Sequence, residues 1–129
     1  MFKVYRFTQE VMNSRAIEKF PEFIELLSAR PMFPMFNDEN LAQWARDMVA
    51  RFPQHIECGA VVDCHINDLF TLTNNIDCAW VDNKQVSQVN SNTFNSSTQV
   101  GDLVKNMETG NIYQVCGIGY QQLNGLEID

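Results

Sequence analysis

With 129 residues, 45% of them hydrophobic and 19% charged, the chain is long enough to bury about two-thirds of the surface its unfolded form exposes. It is therefore expected to form a single domain over residues 1–129 with no disulfide or metal needed to fold it, and its composition excludes collagen-like, coiled-coil and broadly disordered classes. The net charge of −7 is uneven: residues 1–67 carry seven Lys and Arg against nine Asp and Glu, and residues 68–129 carry two against seven. The second half lacks the cationic cluster that phosphate contacts require, so direct nucleic-acid binding is not expected.

The N-terminus, Met1-Phe2-Lys3-Val4-Tyr5-Arg6, carries charge within its first six residues and has neither the apolar run nor the cleavage site of a secretory signal. No stretch has the length of a membrane span. These features predict a cytoplasmic protein without membrane attachment, whose four cysteines are free thiols.

Phe2 to Phe7 alternates as a first strand. Thr8 suits a helix N-cap, with Glu10 in the first turn and Val11, Met12, Ala16, Ile17 and Phe20 on the apolar face. Pro21 interrupts this helix and is best placed as the first residue of a second one, so Pro21 to Ala29 is a second short helix or the same one after a kink, with Phe23, Ile24 and Leu27 toward the core. Pro31-Met32-Phe33-Pro34-Met35-Phe36 then repeats a Pro-Met-Phe unit where a polar connection is expected. Asn37 or Asp38 caps a third helix, in which Leu41, Trp44, Met48 and Phe52 recur at helical spacing and Pro53 marks the stop.

Beyond Pro53 the period changes to two. Ile56, Cys58, Ala60, Val62, Cys64 and Ile66 alternate as one buried face of a strand spanning residues 55–67. Leu69 to Thr73, a turn at Asn74-Asn75, and a strand from Cys78 to Asp82 follow. Residues 90–99, almost wholly Asn, Ser and Thr, predict a solvated loop or a wide hairpin connection, anchored by Phe94. Val100 to Lys105 and Ile112 to Leu123 form a hairpin around Glu108-Thr109-Gly110-Asn111. Asn124-Gly125 is a turn that would return Leu126 to Ile128 as a last strand. Residues 1–53 are thus mainly helical and 54–129 β-rich. The fold class is α+β, with two or three N-terminal helices packed on a C-terminal antiparallel sheet or small β-barrel.

Gly101-Asp102-Leu103-Val104, followed by Gly110-Asn111-Ile112-Tyr113-Gln114-Val115, resembles the paired strands of KOW or Tudor-like small β-barrels. The resemblance covers about residues 100–120 and implies a shape. Such barrels often bind nucleic acid or peptide, and the scarcity of basic residues here speaks against the former.

Three kinds of chemistry can be weighed. A zinc site would draw on His55, Cys58, Cys64, His65 and Cys78, but only His55 and Cys58 have knuckle spacing, and Cys64 and His65 would point to opposite faces of a strand. A cysteine nucleophile, Cys64 or Cys116 with His55 or His65 as base and Asp63 or Asp68 behind it, lacks the helix N-terminus or cation that lowers a thiol pKa. The carboxylates Asp63, Asp68, Asp77 and Asp82 cluster in sequence, though Asp77 and Asp82 suit turns. No phosphate-binding loop or nucleophile elbow occurs, and Gly117-Ile118-Gly119 does not lead into a helix. No catalytic residue, metal or cofactor is therefore expected.

The leading expectation is a non-enzymatic acidic protein that binds a protein partner, as an inhibitor or regulator of an enzyme with a basic site, in the manner of viral accessory factors. Its contact residues would be Met32, Phe33, Met35 and Phe36 of the Pro-Met-Phe repeat, together with Asp102 and Glu108 of the acidic half. The rival is a small enzyme or ligand-binding domain whose pocket lies between helices and sheet, lined by His55, Asp63, His65 and Asp68.

Overall fold

The computed structural model describes residues 1–13, 15–31, 39–73, 80–93, 97–117 and 119–128. In chain order the elements are β1 (Phe2–Phe7), α1 (Gln9–Met12), α2 (Ala16–Lys19), α3 (Pro21–Ser28), α4 (Glu39–Arg51), β2 (Ile56–Val62), α5 (Ile66–Leu72), β3 (Val86–Val89), β4 (Leu103–Asn106), β5 (Ile112–Val115) and β6 (Tyr120–Gln122). The strands form one antiparallel six-stranded sheet in the order β3-β2-β1-β4-β5-β6. The class is α+β, and of the two arrangements anticipated it is the sheet. No helix among the described residues is long and apolar enough to cross a membrane.

Alternation along β1 assigns the two faces, because successive strand residues point to opposite sides. Tyr5 and Phe7 join a large core built with Val11, Phe23, Leu41, Met48 and Phe52 of the N-terminal helices and loops. Phe2 and Val4 join a second core with Val62, Leu69 and Val104. Helices therefore cover both faces of the sheet: α1–α4 on the first, α5 on the second.

Several expectations are corrected. The long strand predicted over 55–67 ends at Val62, and Leu69 to Thr73, read as extended, is mostly α5. Asp68 in the first turn of α5 suits the helix dipole. The single apolar face expected from Ile56 to Ile66 does not exist. Val4 pairs with Ala60 and Tyr5 with Cys58, so Gly59 is an extra residue, a bulge, and the facing switches there. Ile56 and Cys58 consequently pack on the first core, while Val62, Cys64 and Ile66 pack on the second.

The first predicted helix is two short pieces, α1 and α2, and Ile17, assigned to its apolar face, is 64% exposed. Trp80–Asp82 is a 3₁₀ turn where a strand was expected, and β3 was not foreseen. The Asn/Ser/Thr stretch is no simple solvated loop, since Thr93 and Thr98 are buried and Thr93 bridges to Thr8; Phe94 lies outside the described residues. The predicted hairpin forms from β4 and β5, but its second arm turns again into β6. After the Asn124-Gly125 turn, Leu126 and Ile128 pack on the first core without joining the sheet.

Candidate functional site

Strands β1 and β4 pair only from Phe2–Asn106 to Val4–Val104. Continuing that register sets Arg6 opposite Asp102, beyond the last paired residues, where the strands part. Arg6 crosses the fork over Gly59: a β-carbon there would stand 2.6 Å from Arg6 Cγ, so glycine is the residue that lets the guanidinium stem pass. The guanidinium donates to the Asp102 carboxylate through Nη1 and to Thr98 Oγ1 through Nη2, the latter at 2.9 Å, and lies 5.1 Å from the centroid of a Trp80 ring. Thr98 Oγ1 in turn bonds Thr73 Oγ1 at the end of α5. Only 4% of the Arg6 side chain is exposed, and its Nε–H has no acceptor among the described residues.

Asp102 also accepts from the Gln99 N–H at 2.8 Å. Burial pushes its carboxyl above the ordinary carboxylate value, with Arg6, the Gln99 N–H and Arg30 pulling the other way. Gly101 precedes it with φ +100, a conformation glycine adopts without strain. That turn sets the backbone against Trp44 and Arg30, whose nearest atoms would lie 3.5 and 3.2 Å from a β-carbon at Gly101. Arg30 Nη1 donates to the Val100 carbonyl at 3.0 Å. Buried Gln114 fastens the region from below, donating to the carbonyls of Leu41 and Gly101 and accepting from Gln121 Nε2.

At this fork, between the first face of the sheet and the helices, lies a cavity of about 330 Å³. Tyr5, Phe7, Met12, Leu27, Trp44 and Met48 supply apolar wall; Arg6, Arg30 and Asp102 are the charged residues along it, although the Arg6 guanidinium turns away toward Thr98 and the end of α5 on the second face. Trp44 is held in place by donating from Nε1 to the Leu26 carbonyl at 2.7 Å.

The residues singled out from sequence fall elsewhere, apart from Asp102. His55 is buried among Phe20, Phe23 and Phe52, with ring centroids 4.9 to 6.0 Å away. His65 is the exposed N-cap of α5, accepting from the Asn67 N–H. Asp63 and Asp68 come together with Cys64 in a recess near the start of α5, on the opposite side of the sheet from the aromatic cluster that holds His55. The four polar groups expected to line one pocket are thus divided.

Burial raises the Cys58 thiol, against a weaker pull from Lys3, and burial with Asp68 and Asp63 raises Cys64 to about 11. No trio of His, Cys, Asp or Glu among the described residues is placed to hold a metal; Cys78 lies outside them, as do Met32, Phe33, Met35 and Phe36. Glu108 is exposed on the β4–β5 turn, whereas the Asp102 carboxylate is already engaged inside the molecule. Compared with known protein families, curated proteins and solved structures, the chain shows no match.

Sequence reasoning missed Arg6, Arg30 and Trp44 as a group. For Arg6 a signal existed: it occupies the third position of the face that begins with Phe2 and Val4, an inward place for a charge. Nothing in the sequence points to Arg30, because its role depends on where the loop at residues 99–102 passes.

Proposed function

We propose that this protein is a binding domain for a small, largely apolar ligand held between the N-terminal helices and the sheet. The observation that carries the reading is the cavity at the β1–β4 fork, about 330 Å³ with a mostly apolar wall and a few convergent polar groups. Ligand sites commonly occupy about 300–1,000 Å³ with this kind of lining. The pocket opens to solvent, so an apolar ligand entering it would release water from its apolar wall. None of His55, Asp63, His65 and Asp68, the residues weighed from sequence for a ligand pocket, lines it. The free thiols Cys58 and Cys64 suit a reducing compartment such as the cytoplasm.

The test uses N-phenyl-1-naphthylamine, a neutral apolar dye. Wild-type protein should take it up saturably at one per chain with a rise in dye fluorescence. Ala45→Leu, which extends a 1%-exposed wall residue into the cavity, should abolish uptake while the protein stays folded. Absence of saturable uptake by the wild type, or equal uptake by Ala45→Leu, contradicts the proposal.

A second reading, contact with a protein partner through the acidic half, is supported by Met107, 44% exposed, beside exposed Glu108 on the β4–β5 turn. It predicts that Met107→Ser with Glu108→Lys removes a partner that the wild type captures from its native cell. Unchanged capture would count against it.

A further inference from the structure

We infer that the ligand of the cavity carries a single negative charge on its apolar body, a medium-chain carboxylate being the simplest such molecule, and that Arg30 receives it. This inference rests on the proposed ligand-binding reading and names the chemical class of its ligand.

Two observations converge. First, in a chain of net charge −7 the cavity wall has the opposite sign, with two arginines, Arg6 and Arg30, against one carboxylate, Asp102. Asp102 is ion-paired with Arg6, whereas Arg30 acts on that carboxyl only from a distance and has no ion pair among the described residues. Second, Arg30 is half-buried, and its one hydrogen bond among the described residues goes to the neutral Val100 carbonyl through Nη1. A guanidinium has five N–H donors, so most of Arg30's capacity is available at the cavity wall.

A carboxylate head suits Arg30, since it can accept from two donors of one guanidinium at once. The apolar body would lie along Leu27, Trp44 and Met48. A cationic ligand would meet two arginines for one aspartate, and a neutral alcohol would leave the Arg30 charge unanswered.

The experiment is displacement of N-phenyl-1-naphthylamine by octanoate, octanol and octylammonium at pH 7. Octanoate should displace the dye at about tenfold or more lower concentration than octanol, as a charge-assisted hydrogen bond allows, and octylammonium should be weakest. Arg30→Gln should reduce the octanoate preference to within about threefold, and Arg30→Lys should restore most of it. Arg30 is chosen because it is not part of the buried ion pair, so its variants keep the fold; an Arg6 variant is not needed. Equal displacement by octanoate and octanol, or a preference unchanged in Arg30→Gln, overturns the charge assignment while leaving the apolar pocket standing. Failure of the dye itself to bind overturns the ligand-binding reading instead.

Discussion

The two faces of the sheet solve the same packing problem differently. On the second face, one short helix closes over Phe2, Val4, Val62 and Val104 with Leu69, which is fully buried. On the first face, four helices bring a larger set of aromatic and aliphatic side chains, yet a hollow remains where β1 and β4 part. Core size does not decide how well a core closes. The hollow lies beside the fork, where β1 and β4 cease to pair and Gly101 turns the chain aside, while the Arg6–Asp102 crossing spans the fork on the second face.

If that contrast is right, the largest effect belongs to the closed face. Leu69→Ala should lower stability by about 3–5 kcal/mol, the range for a leucine deleted from a tight core, measured by urea unfolding. A loss below about 1 kcal/mol would mean that this face is loosely packed. Next comes the fork. Asp102→Asn leaves Arg6 buried beside a neutral group and should cost about 3 kcal/mol, with Arg6→Met/Asp102→Leu recovering most of the loss. Additivity of the two changes in a double-mutant cycle would deny the coupling. Third, Ala45→Leu on the open face should change stability by less than about 1 kcal/mol, because added methyl groups enter existing space and need not displace packed atoms. A loss of several kcal/mol would show that no such space exists.

The smallest effect is kinetic. With its pKa raised to about 11 from an ordinary 9.0, Cys64 holds about a hundredfold less thiolate near pH 8, offset about tenfold by the greater nucleophilicity of a more basic thiolate. Alkylation by iodoacetamide should therefore be roughly tenfold slower than for an unstructured peptide cysteine. The sign for stability follows: the thiol form is favoured by the folded state, so its contribution is complete below about pH 9 and is lost as pH rises toward 11. Labelling of native Cys64 as fast as a peptide would refute the burial assigned to it.

How much of this was legible in the sequence depended on whether a pattern is local. The helix with Leu41, Trp44 and Met48 and the hairpin around Glu108-Thr109-Gly110-Asn111 were readable because periodicity and turn chemistry act over a few residues. The run from Ile56 to Ile66 misled because a bulge at Gly59 and a helix start at Ile66 preserve its alternation on paper while breaking it in space. An isolated glycine within a strand pattern is the available hint of such a bulge. The cavity could not be read at all. Arg6 and Asp102 are 96 residues apart, and whether they meet depends on strand order, which no local pattern encodes. His55, a conspicuous candidate, proved to be aromatic packing, the ordinary fate of a histidine beside Phe52 and Pro53.

The comparison of the two faces is tested most directly by backbone amide chemical shifts during titration with N-phenyl-1-naphthylamine. Saturable shifts centred on Tyr5, Leu27, Trp44, Ala45 and Leu103, with Val62 and Leu69 unmoved, are the expected result. Shifts centred on Val62 and Leu69, or none that saturate, would contradict the account.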